Sequence, residues 1–370
     1  MELLLAGPVR PGGVVTRPVA VVLGASGLVG TAVTGLLAAR PVHLRTVARH
    51  PQPPPPRARA HVEPVAADLT DPAAVRAAVA GADLIVHLVA HRGGWRDAEG
   101  NAHVNVGVLD SVLRAAAGAR TPPTVVFTGS TSQAGVPARL PIDGTEPDDP
   151  RTPYDHQKCA AQALLTAATA AGTVHGVTVR LPTVFGSVSG PGMVAAMFRR
   201  AFAGEPLTLW HDVLRDLLYA TDAAAAVVAA ADHAPALIAA GLTAPSAEAV
   251  TAGSAAGVSG GPAAGVSGGP AAGVVGGPAA GLTAGPPGRS WVVGTGRPVS
   301  LRELFARIAA AAAERTGAPP VPVRTVAPPP AATLTDQHDV VVDATAFTAV
   351  TGWTPVVPLE EALRRVAAGR

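Results

Sequence analysis

Tyr154 and Lys158 stand four residues apart in the run YDHQK, so on a helix both side chains leave from one face. A tyrosine hydroxyl, with an ordinary pKa of about 10, exchanges protons poorly at neutral pH. An ammonium beside it favours the phenolate and makes the hydroxyl a usable acid. A guanidinium also carries charge, but an ammonium is a compact point charge whose three donors can reach a ribose hydroxyl pair as well. Of 28 basic residues, 27 are Arg and Lys158 is the single lysine, while Tyr154 is one of two tyrosines. A GC-rich coding sequence explains Arg almost everywhere, but not the one lysine retained beside a tyrosine. His156, between the two, faces elsewhere and reads as a surface residue.

Ser130, Thr131 and Ser132 follow the apolar run TVVFTG. At the carboxyl end of a strand such a hydroxyl can hydrogen-bond a carbonyl oxygen on which charge develops, and Ser130 is the candidate. Upstream, LGASGLVG places Gly24, Gly27 and Gly30 at G-x-x-G-x-x-G spacing between a strand and a helix. The first allows a tight turn, the second lets backbone approach a pyrophosphate, and the third allows close helix packing. The second strand ends in Thr46-Val47-Ala48-Arg49, without the acid that would grip an unphosphorylated ribose. Arg49 can instead pair with a 2'-phosphate, which predicts NADPH over NADH. Asp68, in AADLTD, is a candidate partner for the adenine amino group, and Asp71 is the better helix cap.

The elements that must position these residues alternate. Strands PVAVVLG, VHLRTVA (42–48), DLIVHLVA (83–90), TVVFTGS (124–130) and GVTVRLP (176–182) are separated by helix-like stretches, one from Leu28 to Arg40. This predicts an α/β fold, a Rossmann-type doubly wound parallel sheet. From Thr183 the rhythm changes to a smaller mixed C-terminal lobe, with a helix at 193–203, a strand at 207–210, an Ala-rich helix after Asp222, a strand SWVVG, a helix LRELFARIAAAAAERTG, a strand near VVVD (340–343) and a final helix PLEEALRRVAAGR. The expected organisation is a leader at 1–16, a cofactor domain at 17–182 to which 212–245 returns, and a substrate lobe from 183–211 and 288–370. Four octapeptides of the type AAGVSGGP fill 255–286, within an insertion at 246–287 that is too poor in large side chains to build a core.

Composition narrows the class. The chain has 370 residues, 48% of them hydrophobic, enough for two cores. Net charge is +2 with no basic block, which argues against nucleic acid. Neither a membrane span nor a signal peptide is read from the sequence, so a cytoplasmic protein is expected. Cys159, the one cysteine, can form neither an internal disulfide nor a thiolate metal site alone, and no metal is expected.

Together these residues resemble an extended short-chain dehydrogenase/reductase of the NAD-dependent epimerase/dehydratase family. In family order stand the glycine loop, Asp68, IVHLVA, the NVG of Asn105–Gly107, Ser130, Tyr154/Lys158, RLPTVFG (180–186), RDLLYATD (215–222), WVVGTG (291–296) and GWTP (352–355). The resemblance implies catalysis by Ser130, Tyr154 and Lys158, with Asn105 in a mainly structural role. It implies a cofactor site of Gly24, Ser26, Gly27, Leu28, Gly30, Arg49, Asp68, Leu69, Leu88, Tyr154, Lys158 and Pro182, and substrate contacts at Thr131 and Arg215, the latter to a nucleotide-sugar diphosphate. The run MVAAMFRRAFAGEPLTLWHD, with GASGLVGTAV and LIVHLVAH, is similar to 4-ketoreductases acting on dTDP-4-keto-6-deoxyhexoses in antibiotic deoxysugar pathways. Sugar dehydratases of the family carry an Asp-Glu pair where this chain has Thr131 and Ser132, which disfavours dehydration. The implied activity is NADPH-dependent ketone reduction in a homodimer. A nucleotide-sugar 4-epimerase holding NAD, and a non-catalytic NADP sensor, are the alternatives. The octapeptide insertion, and a 210–215 segment shorter than the usual hairpin, depart from the family pattern.

Overall fold

The structure is a computed structural model that describes residues 17–91, 101–243 and 290–369, apart from 331 and 333. The predicted leader and octapeptide insertion lie outside the described residues. The first half of the chain runs β1 (Val19–Leu23), α1 (Leu28–Ala38), β2 (His43–Ala48), β3 (His61–Ala66), α2 (Pro72–Val79), β4 (Leu84–His87), the single turn α3 (Ala102–Asn105), α4 (Gly107–Ala116), β5 (Thr124–Ser130), α5 (Pro153–Ala170) and β6 (His175–Leu181). It continues through β7 (Thr183–Phe185), α6 (Met193–Phe202), β8 (Leu207–Leu209), β9 (Leu214–Arg215), β10 (Leu217–Tyr219), α7 (Ala220–Asp232) and α8 (Ala234–Thr243). After the insertion come β11 (Trp291–Val292), β12 (Val299–Ser300), α9 (Leu301–Thr316), β13 (Val323–Thr325), α10 (Thr345–Thr351) and α11 (Leu359–Ala367).

Seven strands form one sheet in the order β11-β6-β5-β4-β1-β2-β3, every pair parallel. Strands β1, β4 and β5 are nearly continuous apolar runs because helices cover both faces. On one face Val33 and Leu37 of α1 pack with Val227 of α7 and Leu237 of α8. On the other, Val75 of α2, Leu109 and Val112 of α4 and Leu165 of α5 pack around Phe127. Burying each such Leu or Phe stabilises the fold by roughly 1.5–3 kcal/mol relative to exposure. Arg40 leaves the end of α1 to clamp α7, both guanidinium arms meeting Asp232 at 2.6 and 2.8 Å. Pro41 disfavours helical backbone at Arg40 before it, so α1 stops at Ala38 and not at Arg40.

The smaller lobe has its own core, in which Phe198, Leu207, Leu209, Leu304, Ile308 and Leu363 meet. Three sequence expectations change here. The run 340–343 is not a strand: Val340 bridges to Arg215 and Val342 to Ile142, so two different partners two residues apart prevent a continuous ladder. Residues from 290 onward are shared between the lobes. β11 completes the main sheet against β6, and Phe347 and Trp353 join the core under α7. There Trp291, Phe347 and Trp353 form an edge-on stack with centroids 6.3 and 5.8 Å apart. Conversely, Val213, Leu217 and Tyr219 belong to the smaller core while Leu218 packs into the larger one, so β10 is shared between the two. No single described helix is long and apolar enough to cross a membrane.

Candidate active site

Strand order reverses between β1 and β4, and the carboxyl ends there open a cleft of about 260 Å³. Its floor is the glycine loop. Gly24 turns at φ +85°, where a side chain is strained, and its N–H donates to Val47 O at 3.0 Å. A Cβ on Gly30 would lie 2.2 Å from Gly24 O, so only glycine lets α1 pack this closely. Gly27 caps α1 with no side-chain acceptor, and the first turn holds no acid. The helix end is therefore open to an anion, which fits a dinucleotide pyrophosphate.

Ser26, Arg49, Asp68, Leu69 and Leu88 line the cleft with Gly24 and Gly27. Leu28, Gly30, Tyr154, Lys158 and Pro182 do not line it; Pro182 is buried at the junction of β6 and β7. Asp68 Oδ1 accepts from the Thr70 N–H (3.0 Å) and hydroxyl (2.8 Å). These bonds, backbone first, and the charge of Arg49 hold its carboxyl below the usual range. Asp71 caps α2, accepting from Ala73 N at 2.9 Å.

The catalytic candidates converge from β5 and α5. Pro153 opens α5 behind a capping box in which the Thr152 side chain accepts from Asp155 N and the Asp155 side chain from Thr152 N. One turn on, Lys158 is 2% exposed. Its Nζ donates to Thr128 O at 2.7 Å and lies 4.7 Å from the Phe127 ring centroid and 5.6 Å from that of Tyr154. The one lysine is thus held beside the tyrosine by a carbonyl of β5. Ser130, the last residue of β5, is tied by its N–H to Gln133 Oε1 at 2.8 Å. Its Oγ lies 2.8 Å from Ser132 Oγ, which donates to Asp155 Oδ1 at 2.5 Å, so the turn carrying Ser130 is bonded to the residue beside Tyr154. Thr131 is buried in that turn, and His156 is exposed, as predicted.

Asn105 supports the site from behind. It clasps the His91 backbone, accepting at 2.7 Å and donating at 3.2 Å, and donates to Gln157 Oε1 at 2.7 Å. His91 lines the cleft, so Asn105 links its wall to α5. His87, fully buried at the end of β4 against Phe127, has its pKa pushed down to about 3 by burial and then by the Lys158 charge. Burial likewise pushes the Cys159 thiol up to about 12, which leaves it unreactive. Arg215 is directed at backbone: its guanidinium donates to the carbonyls of Leu214, Asp336 and His338, and burial lowers its pKa. Asp155 and Gln157 escaped sequence reading. The spacing Thr152-x-x-Asp155 marks a helix start, but nothing local announces the Ser132 bond, and Gln157 carries no signal.

The D-erythronate dehydrogenase of Cupriavidus necator is 28% identical over 152 residues, 40% of this chain. The match spans 47% of that relative, about half its length. Among solved structures, the UDP-N-acetylglucosamine 4-epimerase of Methanobrevibacter ruminantium superposes with a TM-score of 0.70 at 16% identity, covering 95% of this chain and 97% of that one. MoeE5 in complex with UDP-glucose and NAD gives 0.68 at 21% identity, covering 95% and 97%. At these identities the two structures speak for the fold. The family model described as NAD dependent epimerase/dehydratase matches residues 20–239, more than half of the sequence, and ends within α8. On that match, the chain belongs to the NAD-dependent epimerase/dehydratase family.

Proposed function

We propose that this protein is an NADPH-dependent reductase of the C4 ketone of a dTDP-4-keto-6-deoxyhexose, working in the biosynthesis of deoxysugars. The observation that carries the reading is the placement of Tyr154 over the buried Lys158 ammonium, on the helix bonded to the Ser130 turn. Bound NADPH supplies the hydride. Tyr154 gives its phenolic proton to the oxygen formed at C4, and Lys158 holds the tyrosine and a ribose hydroxyl. Ser130 hydrogen-bonds the substrate oxygen, with Thr131 behind it. Arg49, exposed at the end of β2 on the cleft wall, pairs with the 2'-phosphate, and Asp68 meets the adenine. Arg215 takes the diphosphate by exchanging the carbonyls of 336 and 338 for phosphate oxygens. Thr131 and Ser132, where a dehydratase needs acids, support reduction over water loss.

A nucleotide-sugar 4-epimerase uses the same residues, and two-sided redox at C4 fits the likeness to 4-epimerase folds. The two readings separate in one experiment, in which purified protein is offered a panel of dTDP-4-ketohexoses with NADPH and absorbance is followed at 340 nm. Stoichiometric loss of NADPH with a new 4-hydroxyl by NMR supports reduction. Constant absorbance, with NAD retained through purification and a 4-hydroxy sugar inverted, replaces it with epimerisation.

A further inference from the structure

A hydroxyl that faces a substrate oxygen can donate to a ketone or accept from an alcohol, and its own neighbours decide which. The neighbours of Ser130 form a chain that ends on a buried charge. Asp155 is 1% exposed. Its Oδ2 accepts from the backbone N–H of Thr152 at 3.0 Å, the bond that caps α5. Its Oδ1 is not needed for the cap and instead takes the Ser132 hydroxyl at 2.5 Å. A carboxylate only accepts, so the proton in that contact is Ser132's, and Ser132 has no other. Ser130 Oγ and Ser132 Oγ are 2.8 Å apart, and with the Ser132 proton committed, Ser130 must be the donor between them. The Ser132 N–H, 3.2 Å from Ser130 Oγ, occupies one of the two acceptor positions on that oxygen. What Ser130 has left to offer is a lone pair.

We infer that Asp155, acting through Ser132, sets the polarity of the Ser130 hydroxyl so that it meets the substrate as an acceptor, favouring the alcohol over the ketone at the reacting carbon. Asp155 is a positioning residue, since it touches neither substrate nor cofactor. The chain is part-buried and ends on the buried Asp155, and such a charge-assisted chain is costly to reverse. A ketone oxygen can be served only when Ser130 gives up its bond to Ser132, whereas a secondary alcohol donates to the waiting lone pair at no such cost. The inference rests on the functional reading above, in which Ser130 faces the reacting oxygen.

The test uses complexes that cannot turn over. The 4-hydroxy dTDP-6-deoxyhexose is titrated into full-length protein with NADPH, and the 4-keto sugar into protein with NADP+, by calorimetry. Ser132→Ala removes the chain and leaves the α5 cap intact. Asp155→Asn keeps an oxygen for the cap and offers Ser132 an amide donor, turning the chain around. Both variants are expected to lower the ratio of alcohol to ketone affinity by about fivefold or more, and Ser132→Thr to keep it. A ratio unchanged in both variants overturns the inference and leaves the reductase reading standing, and so does equal weakening of both ligands, the mark of a merely structural role. A wild-type protein that binds neither sugar overturns the functional reading and the inference with it.

Discussion

Lys158 is the residue on which the chain's own bias makes the sharpest test. Arginine replaces lysine at every other basic position, so Lys158→Arg is the change this composition favours. At a site 2% exposed, with Nζ 2.7 Å from a carbonyl, the wider fork displaces either Tyr154 or β5. Turnover is expected to fall about 100-fold, with the fold intact by circular dichroism. Tyr154→Phe removes the proton donor and should cost about 100-fold or more in kcat, while NADPH titration by fluorescence stays within a factor of two or so. Arg49→Ala should raise the KM for NADPH about tenfold and leave that for NADH nearly unchanged, since only NADPH loses a charge-assisted bond. Equal effects on both cofactors would remove Arg49 from the 2'-phosphate. At this scale the sequence was informative where rarity or local spacing marked a residue: Tyr154, Lys158 and the glycines. It was silent where a partner comes from far along the chain. Ser132 and Asp155 are 23 residues apart, and Arg215 meets carbonyls more than 120 residues away.

The loop between β1 and α1 shows what an element demands of a single position. A methyl on Gly30 would sit 2.2 Å from Gly24 O, and backbone cannot yield there as a flexible side chain would. Gly30→Ala should therefore shift α1, lower stability by about 1–3 kcal/mol in urea denaturation, and weaken cofactor binding more than any change in the smaller lobe. Strands β1, β2, β4, β5 and β6 were all legible because apolar runs bounded by Gly, Pro and Asp are what a sheet covered on both faces requires. The stretch 340–343 carries the same apolar signal, yet its backbone is split between Arg215 and Ile142. Apolar residues report burial, and only the neighbouring strands decide whether a ladder forms.

For the whole molecule, His87 gives stability a pH dependence. Its ring is fully buried and neither nitrogen has a hydrogen-bond partner among the described residues. Burial holds its pKa near 3 against an ordinary 6.5, so the unfolded chain takes up the proton first as the solution is acidified. The contribution is complete above pH 6.5 and drains as pH falls toward 3, by up to about 1.4 kcal/mol per pH unit. His87→Leu, of similar bulk and without polar atoms to leave unsatisfied, should flatten this slope when unfolding free energy is compared at pH 7 and pH 5. A slope unchanged by the substitution would place the acid sensitivity elsewhere.

Trp291 comes from one stretch, Phe347 and Trp353 from another, and they meet under α7, where the Trp353 indole donates to Asp222 O at 3.2 Å. Two of the four tryptophans are thus packed against one phenylalanine, while Trp210 stands 36% exposed on the smaller lobe. The protein carries a built-in optical gauge of whether its C-terminal stretch is docked. With Trp95 and Trp210 replaced by Phe, a red shift in emission would time the departure of that stretch from the sheet, independently of any substrate.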